Sequence, residues 1–498
     1  MLHLSTFDSH FTLFICVIPY YKGAEIGPYD KMSTETRKNI AIIGAGVSGL
    51  STAYHLQKAG HHAVVFELSD RAGGVIQTVQ DSDYLCEWGP NSLMIGDKRI
   101  EQLLSEIGLD PETLDANTAS KKRFIIDNNK VTPLPSGPLQ LLSTPIFTLK
   151  GKLRVLKEPW VKKSATDSKE SLSDFMQRRF GPEIVSKLVN PFISGIYAGD
   201  PQKLSVKHAF PKLYALEQEF GSLIGGLIRS KKKQKRDGSA QHKLPKRRIV
   251  SFKKGMEALP KALAENLEDG SLILEAVIGG ISQNASNHRW HMDWRCPNGT
   301  IGQGSFDDVI LTQPAHALEA VPLEDSVTES LSALPTLNHA PVTSLLVGYK
   351  REQVQHPLDG FGMLSTFESK SKMLGALFTS TLFPGRAPDG HVAINVMVGG
   401  VRAAEIASMP DAQLKVAVFD ELRRLLGVDG KPSFCHIHRS NKAIPQLQTD
   451  YGIVARQIAD CENQHPGLHL AGSYRNGIAL PDRILEGMAL TEKINQPR

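Results

Sequence analysis

Ile40-Ala41-Ile42-Ile43-Gly44-Ala45-Gly46-Val47-Ser48-Gly49 is the stretch that decides the fold. Its apolar run predicts a strand, its glycines a tight turn, and the residues through Ala59-Gly60 a helix. A second apolar run, Ala63 to Phe66, predicts another strand, closed by the acid Glu67. Strand, turn, helix, strand and acid in that order form a dinucleotide-binding unit. Gly44 permits the turn, Gly46 lets backbone approach a pyrophosphate, and Gly49 lets the helix pack closely on the strand. The helix start, with Ala45, Val47 and Ser48, turns unpaired N–H groups toward the anion. Glu67 would accept hydrogen bonds from a ribose diol, with Leu68 beside it. The alternative is a glycine-rich turn with a purely structural role.

The residues beyond the acid narrow the dinucleotide. Arg71-Ala72-Gly73-Gly74-Val75-Ile76 and Glu87-Trp88-Gly89-Pro90-Asn91-Ser92 resemble segments of the flavin-containing amine oxidase superfamily. That resemblance implies FAD rather than NAD, with Arg71, Gly73, Gly74 and Val75 along the phosphates and ribityl chain, and Gly89 to Ser92 after them. Toward the C-terminus, His469 to Tyr474 predicts a strand ending in a glycine turn, and a helix is predicted from Asp482 to Ile494. In the superfamily these pieces close over the flavin ring, which assigns Gly472, Ser473, Ile478, Ala479 and Leu480 to the cofactor. Both ends of the chain would thus build one FAD domain.

The cysteines bound other chemistry. Cys16, Cys86, Cys296, Cys435 and Cys461 are scattered without a Cys-x-x-Cys pair, so neither a disulfide framework nor a thiol zinc site is indicated. A reducing compartment is expected, the cytoplasm, with the chain peripheral on the inner face of the cytoplasmic membrane. Alternation in Cys435-His436-Ile437-His438 puts both imidazoles on one strand face without further partners, so no metal is assigned. Covalently flavinylated relatives carry a cysteine near the final glycine turn; none lies between Leu468 and Arg498, which makes the expected FAD noncovalent.

At 498 residues, 41% hydrophobic and 22% charged, the chain can bury several cores. The net charge of +5 is uneven. Ten basic residues crowd Arg229 to Arg248 around a single acid, Asp237. No aromatics interleave them and Asp237-Gly238-Ser239 marks a loop tip, so a solvated excursion is expected and no nucleic acid. Phe11 to Tyr21 is too short to span a bilayer and lacks a basic lead-in. Met32 is the expected translation start, with residues 1–35 an N-terminal extension. Pro138 to Leu149, followed by Lys150, Lys152, Arg154, Lys157 and Trp160, has the composition of a membrane-interface segment or of a partly buried helical hairpin.

The middle of the chain narrows the resemblance. Asn190-Pro191-Phe192-Ile193-Ser194-Gly195-Ile196-Tyr197-Ala198-Gly199-Asp200-Pro201, Ser251 to Pro260, Leu382 to Pro388 and Ala471 to Gly477 resemble the protoporphyrinogen oxidase branch. The likeness extends over about residues 38 to 498. It implies a six-electron aromatizing oxidation of a porphyrinogen in three two-electron steps, with molecular oxygen reduced to hydrogen peroxide. Arg123 would hold a propionate. Leu364 and Phe383 would flank the macrocycle, the Gly195 to Asp200 turn with Gly199 would wall the pocket, and the backbone of Val277 would touch adenine. No catalytic acid or base is assigned, because hydride transfer is the flavin's own chemistry.

The expected architecture is α/β: a Rossmann-like FAD-binding domain assembled from discontinuous segments (36–96, 245–310 and 440–498), a mixed α+β substrate domain (311–439), and a helical membrane-facing insertion (97–244). Expected partners are a porphyrinogen, oxygen and a membrane surface, with a homodimer as the protein assembly to test. Protoporphyrinogen IX and coproporphyrinogen III both stay open as substrates. So do another flavin desaturase or amine oxidase, and a catalytically idle FAD protein serving haem-pathway enzymes.

Overall fold

The two apolar runs that flank the first glycine turn become adjacent parallel strands, Asn39–Ile43 and His62–Phe66. The structure is a computed structural model and describes residues 37–135, 144, 146–165, 169–236 and 247–496. Leu272–Ile273, Asp308–Leu311 and Leu468–Leu470 complete a five-stranded parallel sheet. Its strands are apolar at nearly every position because both faces are covered. Ala41, Ile43, Val64 and Phe66 join one core, and Ile40, Ile42, Ala63 and Val65 another. Three distant stretches of chain therefore meet in one sheet. The helices Val47–Lys58 and Leu480–Asn495 pack on its second face.

A seven-stranded sheet lies beyond it, in the order Phe434–Pro445, His339–Lys350, His391–Gly399, Met373–Leu377, Gly360–Ser365, Lys122–Asp127 and Lys130–Pro133. Every pairing is antiparallel except Gly360–Ser365 with Lys122–Asp127. One face, carrying Leu345, Val347, Ile394, Val396, Met363, Phe124 and Ile126, is sealed by Leu414, Val418 and Leu422 of the helix Asp411–Leu426. The other face meets the hairpin that comes after the glycine doublet, where Leu346 and Ala393 pack on Tyr84, Cys86 and Trp88.

Helices Leu172–Phe180, Asn190–Tyr197, Pro211–Phe220 and Leu223–Arg236 fill most of the insertion. Two strand assignments differ from the expected boundaries. Lys122–Pro133 was expected among helices, yet its strands extend the seven-stranded sheet, because Phe124 and Ile126 alternate into that sheet's core. The strand Phe434–Pro445 crosses the expected boundary at 439 and 440 as one uninterrupted element. The basic run is helical as far as Arg236 rather than a loop throughout, while its tip, 237–246, lies outside the described residues. Residues 1–35 and most of Pro138 to Pro145 lie outside them as well.

Candidate active site

The first glycine turn is built by backbone crowding. Gly44 has φ +106°, which an L side chain rarely adopts, and its N–H donates to Phe66 O at 2.8 Å. A Cβ on Gly49 would stand 2.0 Å from Gly44 O, so the helix and turn touch through bare backbone. Gly46 caps the helix with no side-chain hydrogen bond, and no acid occupies the first turn. The positive end of the helix is thereby left for an external anion.

Glu67 is held in two directions: Oε2 accepts from Ala45 N at 2.7 Å, and Oε1 from Ser69 N and Oγ at 2.9 and 2.7 Å. Ala276 N donates to Glu67 O and Glu275 N to Ser69 O, which sets Val277 beside Leu68. Leu68, Val75 and Val277 are 71%, 69% and 44% exposed, so large apolar groups stand open around an anion-ready turn. The doublet folds onto the turn as well. Gly73 N donates to Ala45 O, and a Cβ on Gly74 would lie 3.2 Å from Gly46 Cα. Arg71 braces this loop through the carbonyls of Ala72, Gly74 and Ile76. Gly89, at φ +116°, lies against Val75 O, with Pro90, Asn91 and Ser92 half-buried after it. Asn395 of the seven-stranded sheet donates to Asn91 Oδ1 at 3.1 Å, tying that sheet to the loop after the hairpin.

The C-terminal wall docks on the same helix. A Cβ on Gly487 would meet Thr52 N at 2.8 Å, and Ser51 Oγ donates to Ile484 O. Glu486 accepts from Gly472 N, Asn476 and Arg483, and its burial pushes its carboxyl up against the pull of Arg483. Among the described residues, Nε and Nη2 of Arg483 are buried without a hydrogen-bond partner. Ser473, Ile478 and Ala479 are half-buried between this network and Leu480. A bare helix start, an acid at the second strand, open apolar side chains and unspent guanidinium donors fit the anionic, partly apolar cofactor that the resemblance implies. The sequence did not single out Arg483, Glu486 or Asn395, since no local pattern marks them.

Across the cleft, Leu364 packs directly on the helix Asn190–Tyr197: a Cβ on Gly195 would sit 2.3 Å from Leu364 Cδ2. Gly195 was expected in a turn and is helical instead; the left-handed turn begins at Ala198, φ +46°, which ends the helix before Gly199. Gly199 is pinned elsewhere, 2.5 Å from Gln446 Oε1 by the same measure. Leu364 pairs with Ile125, so alternation places Arg123 on its face of the sheet. The Arg123 guanidinium lies 4.4 Å from the Phe361 ring centre and donates to carbonyls of Ser120 and Lys121. Leu377 and Met397 lie half-buried near Leu364, giving an apolar floor. Phe383 departs from expectation. It is 2% exposed with the Arg386 guanidinium 5.6 Å from its ring centre, so it has no open face.

Arg386 belongs to a buried network beneath the cleft. Its Nη2 donates to Ser251 Oγ and Phe252 O, and Glu87 accepts from Thr78 Oγ1 and Met256 N. Burial pushes the Glu87 carboxyl up to about 7, while Thr78, Met256 and Arg386 favour its anion. A raised folded pKa means that the native state holds this proton more tightly than the unfolded chain. The resulting stability is complete below the ordinary carboxylate range and is lost as pH rises through about 7. Glu87→Gln should flatten that dependence by up to about 3 kcal/mol. Urea unfolding at pH 5 and pH 8 checks it; equal pH dependence in both proteins would refute the assignment. Trp88, next along the strand, stacks on His438 at 4.9 Å and meets His436 edge-on at 4.8 Å, which accounts for both imidazoles as packing partners. Among the described residues no three metal-ligating side chains converge.

Residues 47–487 match the family of flavin containing amine oxidoreductases. The chain is 34% identical over 469 residues to protoporphyrinogen oxidase 2, chloroplastic/mitochondrial, of Arabidopsis thaliana, covering 90% of this chain and 92% of that one. It is 27% identical to coproporphyrinogen III oxidase of Bacillus subtilis, covering 92% and 97%. In fold it is similar to a candidate protoporphyrinogen oxidase from Exiguobacterium sp. 255-15, with a TM-score of 0.72 at 24% identity over 93% of this chain and 99% of that one. Cyclohexylamine oxidase from Brevibacterium oxydans has the same fold at 15% identity, TM-score 0.64, over 92% and 99%. The glycine turn, the doublet and the C-terminal wall thus lie in a flavoprotein oxidoreductase: the chain belongs to the flavin containing amine oxidoreductase family and groups there with the protoporphyrinogen and coproporphyrinogen oxidases.

Proposed function

We propose that this protein binds FAD noncovalently and oxidises protoporphyrinogen IX to protoporphyrin IX, with oxygen as acceptor and hydrogen peroxide as by-product. The observation that carries the proposal is the apolar floor of Leu364, Leu377 and Met397, which faces Gly195 and adjoins the glycine-lined cleft at Asn91 and Asn395. A flat, largely apolar substrate needs such a surface and few polar anchors. When bound, the flavin would supply the two-electron redox chemistry. The chain's own work is positional. Gly46 and the helix behind it seat the pyrophosphate, Glu67 the ribose, and Leu68, Val75 and Val277 the apolar parts. Leu364 with Gly195 aligns the macrocycle and excludes water. Noncovalent attachment is supported by the absence of cysteine from Leu468 to Arg498 and by the burial of Cys86 and Cys461. Coproporphyrinogen III is the second reading, favoured by the relatives that bear its name.

Supplying each porphyrinogen to the purified yellow protein without oxygen, then admitting air, tests this directly. Porphyrin fluorescence and peroxide should rise together above the autoxidation blank; a flavin-loaded protein giving neither would overturn the proposal. Arg123→Ala should raise KM about tenfold with flavin content unchanged, the cost of one charge-assisted carboxylate contact. Unaltered kinetics would remove Arg123 from the substrate site.

A peripheral membrane position on the cytoplasmic side completes the proposal. Leu149, Leu153, Leu156 and Trp160 are 73%, 52%, 59% and 82% exposed at helical spacing, beside Lys150, Lys152 and Lys157. Among the described residues no helix is long and apolar enough to cross a membrane.

A further inference from the structure

Two arginines lie over phenylalanines at opposite ends of one segment. Arg123 covers Phe361 at 4.4 Å and Arg402 covers Phe367 at 4.8 Å, with Leu364 midway between the two rings in sequence. Phe361 lies near the start of the strand Gly360–Ser365 and Phe367 opens the short 3-10 turn just after it, so the arginines mark the two ends of the strand that carries Leu364. Their surroundings differ. The Arg402 Nη2 is paired with Asp200 Oδ1 at 2.6 Å, with both side chains largely buried at 23% and 15% exposure. Asp200 comes just after the helix whose Gly195 rests on Leu364. Val401 N donates to Ala198 O, and a Cβ on Gly400 would stand 2.7 Å from that oxygen and 3.2 Å from Leu374, so the pair is clamped at the end of the floor.

We propose that the Asp200–Arg402 pair sets substrate specificity, neutralising the far end of the slot so that it receives uncharged substituents and disfavours propionates. This rests on the porphyrinogen reading above and deepens it. Protoporphyrinogen IX carries vinyl groups where coproporphyrinogen III carries two further propionates. Left alone, the Arg402 guanidinium would attract such a carboxylate through parallel hydrogen bonds. With Asp200 already on it, an incoming propionate meets a satisfied cation and a like charge, and is turned away.

The test compares kcat and KM for both porphyrinogens in the wild-type holoenzyme, Asp200→Asn and Arg402→Gln. Wild type should prefer the two-propionate substrate. Asp200→Asn should shrink that preference about tenfold, through KM for the four-propionate substrate rather than kcat. Arg402→Gln, which leaves a lone carboxylate, should widen it. Titration of protoporphyrin IX and coproporphyrin III by fluorescence quenching gives a readout without turnover, and coproporphyrin III should tighten about tenfold on Asp200→Asn. A wild type equally fast or faster on coproporphyrinogen III overturns the inference, as does a folded, flavin-loaded Asp200→Asn with unchanged selectivity. Should Asp200→Asn not fold, an unchanged ratio in Arg402→Gln overturns it instead. If the wild type oxidises neither porphyrinogen, the functional reading falls, while the porphyrin titrations still judge the pair by its charge.

Discussion

Arg179→Met should cost about 3–5 kcal/mol of stability, the range for removing one partner of a fully buried ion pair. Arg179, Glu158 and Glu217 all have side chains at 0% exposure in the helical insertion. Arg179 Nη1 donates to Glu158 Oε1 at 2.8 Å and its Nε to Glu217 Oε1 at 2.5 Å. Glu158 also accepts from Ser222 Oγ, Leu223 N and Ile224 N, and thereby caps the helix Leu223–Arg236. Glu217 receives Arg178 and Ser164 N. Taking away the central cation leaves two fully buried carboxylates facing one another's charge, with Arg178 still on Glu217. Arg178→Ala is the internal comparison. Its side chain is 28% exposed, so solvent screens the loss and about 1 kcal/mol is expected. Denaturant unfolding, with proteolysis of the insertion as a local readout, separates the two. A loss below about 1 kcal/mol for Arg179→Met would mean that the network is not the core of the insertion.

The same network predicts acid sensitivity. Arg178, Arg179 and the Ser164 N–H hold the Glu217 carboxyl below its ordinary value against the opposing effect of burial. A depressed pKa contributes stability that is complete above the ordinary carboxylate range and is lost as pH falls through the lowered value. This runs opposite to Glu87, whose contribution is lost on the alkaline side. The insertion should therefore lose stability as pH falls below the ordinary carboxylate range.

How much of this was legible in the sequence depends on whether a residue's role is set by its neighbours in the chain. The turn from Gly44 to Gly49 was readable because each glycine's duty comes from local geometry and the helix it starts. Strand signals were readable at Val342 to Tyr349 and His391 to Val398, which fall within the strands His339–Lys350 and His391–Gly399. Phe383 was not, because its burial is decided by Arg386 packing on it from a loop anchored to a distant strand. Nor were Asn395 or the Asp200–Arg402 pair, whose partners lie far away in sequence. Gly195 was expected in a turn and stands in a helix against Leu364 instead. A helix containing Pro191 and Gly195 offers little local helical signal, and its form comes from packing against Leu364.

Gly49→Val should abolish flavin retention together with the native fold, whereas Gly46→Val should abolish flavin retention alone. The two glycines sit three residues apart and differ in what surrounds them. Around Gly49 a Cβ meets Gly44 O at 2.0 Å and Thr312 Oγ1 at 3.0 Å, and the first of these is backbone that cannot rotate away. The helix must lift from the strand, and the crowding alone is expected to cost about 3 kcal/mol or more. Among the described residues, a Cβ on Gly46 would meet nothing within 4 Å, and φ −71° suits any residue. A valine there is free in the protein by itself and collides only with what the helix start is shaped to receive. Gly46→Val should therefore match wild type in its melting temperature without cofactor while its flavin affinity falls at least about a hundredfold, read from the flavin absorbance after desalting. Equal flavin content in Gly46→Val and wild type would place the cofactor elsewhere, since an anion seated on this helix cannot share its approach with an isopropyl group.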